Sequence, residues 1–129
     1  MSENLRMVLL YGAPATGILT LLFAWMQVLK VKREQPGNAR MQEIARAIHS
    51  GAMAFLRREY TTLLAFIAVL FLILALKIDL RTAICFVVGA FSSMTAGFIG
   101  MTVATMANVR TANAAQHSQN RALGIAFSG

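Results

Sequence analysis

The chain is poor in charge. Only 13% of its 129 residues are Asp, Glu, Lys or Arg, where a soluble domain carries about 25%. Acidic groups are the scarcest: Glu3, Glu34, Glu43, Glu59 and Asp79 are the whole supply, and the two nearest in sequence are Glu34 and Glu43. Carboxylates that bind a divalent cation or divide acid and base work must converge. No pair here has the spacing of three or four that would place both on one helix face. The single Cys85 excludes an internal disulfide. It lies in an apolar run and reads as a small packed hydrophobe. His49 and His117 stand alone, with no second ligand at metal spacing, and there is no glycine-rich phosphate loop of the Walker type. Ser92 and Ser93 have no base nearby and read as helix-packing residues. These absences remove the usual routes to catalysis within this stretch. The site reading is therefore empty: no catalytic, cofactor-binding or metal residue.

What the chain has in quantity is apolar sequence. It is 57% hydrophobic with a mean hydropathy of +0.62. So short a chain cannot hide that much apolar surface from water, because small folds bury a smaller share of theirs. Lipid must cover the rest. The fold class that follows is an all-α polytopic membrane protein with three spans. The first run, Met7 to Val28, would make about 33 Å of helix, enough for a hydrocarbon layer of about 30 Å. Gly12, Pro14 and Gly17 inside it are tolerated where neighbouring helices satisfy the backbone. A cleaved signal peptide is disfavoured by its length, its Ser-Glu-Asn start and the anchors Trp25, Lys30 and Lys32. The second run, Thr61 to Leu76, is short alone. It continues an amphipathic pattern at Met41, Ile44, Ala45, Ile48, Ala52, Phe55 and Leu56. Pro36-Gly37-Asn38 is a helix start with Asn38 as the cap. One helix from about Ala39 to Leu76 is expected, its first half a stalk and its second half a span, with Arg57, Arg58 and Tyr60 at the interface. A stalk lying on the membrane surface is the alternative.

The third run, Ala83 to Ala107, has no charge, and Lys77, Asp79 and Arg81 form a tight polar turn before it. Gly89, Ser93 and Gly97 are spaced by four, as are Ala96, Gly100 and Ala104, which suits close helix packing. The segment 108–129 is expected to be helical and to leave the membrane. The organisation is thus spans at 7–28, 61–76 and 83–107, a loop and stalk at 30–60, and a segment at 108–129, all part of one larger membrane domain.

The net charge is +7. Lys30, Lys32, Arg33, Arg40, Arg46, Arg57 and Arg58 lie between the first two spans, with Arg110 and Arg121 beyond the third. Arg6, Lys77 and Arg81 lie on the other side. The positive-inside bias then places the 30–60 loop and the C-terminal segment in the cytoplasm and the N-terminus outside, in a multi-pass protein of the cell (inner) membrane. Juxtamembrane clustering accounts for the basic residues. No aromatic-interleaved basic motif or zinc spacing supports nucleic acid as a partner.

Specific strings add to this. Pro36-Gly37-Asn38 leads into Met41-Gln42-Glu43-Ile44-Ala45 and then Gly51-Ala52-Met53-Ala54-Phe55-Leu56-Arg57-Arg58-Glu59-Tyr60. Later come Gly97-Phe98-Ile99-Gly100-Met101, Val103-Ala104-Thr105 and Ala107-Asn108-Val109-Arg110-Thr111-Ala112. The end reads Ala122-Leu123 and Ala126-Phe127-Ser128-Gly129. In this order, from about Leu9 onward, they closely resemble the N-terminal part of the membrane-integral, ion-translocating inorganic pyrophosphatases. The resemblance implies a homodimer of subunits with many more spans, hydrolysing pyrophosphate and moving H⁺ or Na⁺. It implies Mg²⁺, with K⁺ needed by some members. It also implies that Asp-rich catalytic motifs lie in later helices, outside this sequence. The chain would then be inactive scaffold from the start of a longer subunit. Arg57 and Arg110 match family positions and are expected to serve at an interface and a helix end. A self-sufficient three-span membrane scaffold or partner subunit is the competing expectation.

Overall fold

The computed structural model of the chain describes the backbone of residues 3–129 and side chains from Leu10 onward. Glu3, Arg6 and Met7, which entered the charge count and the first run, lie outside the described side chains. Four helices follow one another: α1 (Glu3–Arg33), α2 (Ala39–Lys77), α3 (Leu80–Ala115) and α4 (Gln119–Ala126). The first three are long and apolar enough to cross a membrane. Stalk and second span are one unbroken helix, and α3 runs on past Ala107 to Ala115. The expected helical C-terminal segment is therefore the last part of α3 followed by α4.

Local chemistry sets the helix ends. The Asn38 side chain accepts a hydrogen bond from the Met41 N–H at 2.9 Å and starts α2. Gly37 just before it adopts φ +82°, a conformation that glycine takes without steric cost. A Cβ there would also sit 2.7 Å from Met41 Sδ. Asp79 starts α3, accepting from the Thr82 N–H at 2.9 Å and from its hydroxyl at 2.7 Å. Those two bonds hold the Asp79 carboxyl below its ordinary 3.8. A carboxylate depressed on folding stabilises above its unfolded pKa, and that contribution disappears as pH falls through the folded value. Acidification from pH 7 is therefore expected to leave the α3 start intact down to about pH 4 and to fray it below. Amide exchange at Thr82 measures this, and Asp79→Ala should show the frayed exchange rate already at pH 7.

Alpha2 and α3 form an antiparallel hairpin. His49 meets Thr105 and Tyr60 meets Met94, and both pairs are symmetric about Lys77. The register has a consequence. The uncharged run of α3 outreaches the span of α2, and its upper part lies level with the stalk. There and in its continuation past Ala107, α3 covers half of the stalk's apolar stripe: Met41, Ala45 and Ala52 are half-buried and Leu56 is buried. The other half, Ile44, Ile48 and Phe55, stays exposed. Small residues also divide. Gly97 faces the Tyr60 hydroxyl, with 3.3 Å available to a Cβ, whereas Gly89 and Gly100 face open space within this chain.

Alpha4 folds back on α3, with Ala114, Ala122 and Ile125 forming a small core. The most apolar stretches of α1 and α3 have 0% of their residues buried inside the chain, and that of α2 has 6%. Leu76 is 81% exposed and Leu21 72%. Surface of this kind is stable only against lipid or further protein. Six hydroxyls in these stretches are already satisfied: those of Thr16, Thr20, Thr61, Ser92, Thr95 and Thr102 each donate to a carbonyl one turn back. This is how a helix carries a hydroxyl into a medium without water.

Candidate functional site

Polar side chains converge at one place, the end of the bundle away from the α2–α3 turn. Alpha1 stops there at Arg33, and the connection 34–38 turns into α2. The last carbonyls of any helix lack intrahelical partners. Here the connection just past the end of α1 is met by side chains of α3 and α4. Arg110 Nε donates to the Glu34 carbonyl at 3.0 Å, and its Nη1 donates to the Met106 carbonyl at 3.0 Å. Asn113 Nδ2 donates to the Gln35 carbonyl at 3.2 Å. Arg121 places Nη2 2.7 Å and Nε 3.2 Å from Glu34 Oε2. Gln42 closes the connection by donating to the Gly37 carbonyl at 2.9 Å.

Beside this junction, α2 and α3 leave an open cleft of about 430 Å³ lined by Gln42, Arg46, His49, Thr105 and Arg110 among others. His49 Nδ1 lies 3.0 Å from Thr105 Oγ1. The Thr105 hydroxyl also lies within hydrogen-bond reach of the Met101 carbonyl at 2.9 Å. The hydroxyl has one proton, so it donates either to a carbonyl or to the imidazole, and the His49 tautomer sets which.

The cleft offers cations and neutral groups but no carboxylate. Elsewhere Glu34 pairs with Arg121, Glu43 pairs with Arg40 and Asp79 caps α3. Among the described residues no three His, Cys, Asp or Glu side chains come together. A hard cation such as Mg²⁺ takes oxygen ligands, usually with at least one carboxylate, so the donor set present does not fit it. Two of the five Arg110 N–H groups are committed to backbone carbonyls. Arg110 serves at a helix end, but the end is that of α1 rather than its own. Arg57 is exposed on α2, close to where the apolar run begins. His117 and Cys85 are exposed and join no cluster. The Thr111 hydroxyl is buried without a partner.

Sequence reasoning missed the His49–Thr105, Arg110–Glu34 and Arg121–Glu34 pairings. A signal for the first was available. The short turn at Lys77–Asp79 dictates an antiparallel hairpin, and folding the sequence about that turn brings residue 49 opposite 105.

Comparison with known proteins gives a consistent result. The family described as "Inorganic H+ pyrophosphatase" matches residues 18–129. A protein of Clostridium tetani named "Putative K(+)-stimulated pyrophosphate-energized sodium pump" is 55% identical over 88% of this chain, which corresponds to 17% of that protein. A "K(+)-insensitive pyrophosphate-energized proton pump 2" of Moorella thermoacetica is 46% identical over 90% of this chain and 17% of its own length. A "K(+)-insensitive pyrophosphate-energized proton pump" of Methanosarcina mazei is 41% identical over 94% and 18% respectively. The chain thus spans less than a fifth of the length of the relatives it matches.

Proposed function

The chain belongs to the inorganic H⁺ pyrophosphatase family, and from this we propose that it is the N-terminal scaffold of a pump driven by pyrophosphate. The observation that carries the reading is the family match over residues 18–129, together with an apolar surface that the chain itself leaves uncovered. In this reading pyrophosphate hydrolysis and transport of H⁺ or Na⁺ belong to the longer subunit. This piece supplies three spans and the polar junction that fixes them. Pyrophosphate is a polyanion, and its hydrolysis draws on metal ions and cations to stabilise charge and on carboxylates to position them. The residues described here contribute no such set, so any Mg²⁺ or K⁺ would be held by the remainder. The basic residues on the junction side, from Lys30 to Arg58 and at Arg110 and Arg121, support a cytoplasmic position for that side. The subunit is proposed to act as a homodimer in the cell membrane.

A split-protein experiment tests this. The chain is co-expressed with the C. tetani relative lacking its matching segment, and cation uptake into inverted vesicles is measured on adding pyrophosphate. Uptake is expected only when both pieces are present, and the chain alone should release no phosphate. Uptake without the chain, or none with both pieces inserted and associated, would refute the scaffold role.

A further inference from the structure

Arg57 and Arg58 are adjacent on α2, both exposed, and neither forms an ion pair among the described residues. With Met53, Ala54 and Thr61 they line an open recess of about 520 Å³ on α2. Their level in the membrane follows from the helix. Lys77 and Asp79 mark the boundary at the turn, and Arg57 stands about 30 Å from Lys77 at about 1.5 Å per residue. That distance is one hydrocarbon thickness, so both guanidinium groups lie at the phosphate level of the opposite leaflet. Below them the helix has no charge from Thr61 to Leu76, and Leu64, Val69, Leu72 and Leu76 are exposed. The hydroxyls of Thr61 and Thr62 donate to the carbonyls of Arg57 and Arg58, so they present methyl groups to whatever covers the face.

We propose that Arg57 and Arg58 together bind the phosphate of an anionic phospholipid, whose acyl chains lie along the apolar face of α2 beneath them. Two cations at the head of a long uncharged face match an anionic amphiphile and not a free phosphate, which would have no use for the face. Arginine forks suit phosphate oxygens. Basic pockets beside membrane helices recruit acidic lipids for the same reason. The inference is independent of what the longer subunit hydrolyses.

The test uses the chain reconstituted in phosphatidylcholine vesicles containing a trace of spin-labelled phosphatidylglycerol or spin-labelled phosphatidylcholine. The motionally restricted fraction gives their relative association. About a fivefold or greater preference for phosphatidylglycerol is expected, on the order of the attraction of one to two basic residues near a membrane surface. Arg57→Gln/Arg58→Gln should bring the preference to near parity, and Arg57→Lys/Arg58→Lys should keep much of it. Lys30→Gln/Lys32→Gln should leave it unchanged, as should excess inorganic phosphate. No preference in the parent chain, its survival in the double glutamine variant, or equal loss in the lysine-to-glutamine variant would overturn the proposal. Displacement by inorganic phosphate would do so too, by identifying a simple anion site.

Discussion

Gly97→Leu is expected to weaken the α2–α3 hairpin by about 1–3 kcal/mol, while Gly100→Leu strengthens its helix slightly. The two glycines stand three residues apart on α3 and differ in what they face. A Cβ at Gly97 already meets the Tyr60 hydroxyl at 3.3 Å, and one at Gly100 meets nothing. Tyr60 is held by donating to the Met94 carbonyl, so a leucine at 97 must break that bond or push the helices apart. Overpacking costs about 1–3 kcal/mol and the lost hydrogen bond about 1 kcal/mol. Relief of the glycine's helix penalty returns up to about 1 kcal/mol. At Gly100 only the relief operates. Dissociation of the hairpin in an SDS titration, followed by energy transfer between dyes on the two helices, gives both values. Tyr60→Phe supplies the control. If the hydroxyl is what Gly97 accommodates, the effects of Tyr60→Phe and Gly97→Leu will be less than additive. Equal losses at both glycines would show that the small residues act as a general packing surface.

The contrast between these glycines shows how far the sequence was legible. Spacing by four marks Gly97 and Gly100 alike, because periodicity reports which residues share a helix face but not what stands opposite. Where one element determines the outcome, reading the sequence sufficed. Asn38 caps α2 because a short acceptor beside Gly37 suits no other place in a helix start. The stalk and span join because the apolar pattern passes through Arg57 to Tyr60 without a breaker. Contacts between elements are different in kind. The Arg121–Glu34 ion pair joins residues far apart in sequence through two turns and two helix lengths, and a shift of one residue in either would undo it. The five acidic residues are scattered along the 129, and among the described residues Glu34 meets Arg121, Glu43 meets Arg40 and Asp79 caps α3.

Alpha1 illustrates that dependence on contacts between elements, and it leads to the second large effect. Most of its described side chains are exposed, and the hydrogen bonds that tie its end to the rest come from Arg110, Asn113 and Arg121. These three are unequal. The Arg121–Glu34 pair is 64% exposed on the arginine side, so solvent screens it, and such pairs contribute about 0–1 kcal/mol. Asn113 makes one neutral bond, worth about 1 kcal/mol. Arg110 is half-buried and bridges two carbonyls, one beyond α1 and one within α3. Hydrogen bonds to a charged group contribute about 1.5–3 kcal/mol, and removing it leaves the Glu34 carbonyl without its partner. Arg110→Ala is therefore expected to shift the docked population of α1 by about ten- to a hundredfold, and Arg121→Ala by about fivefold or less. Lysine keeps the charge but lacks the planar fork that reaches both carbonyls, so Arg110→Lys should rescue little. Spin labels at Leu22 and Phe98, both exposed, measure this directly. One narrow distance distribution is expected in the parent chain and a broad one in Arg110→Ala. A distribution that stays narrow would mean that burial of Val31, fully enclosed at the end of α1, holds the helix without the arginine.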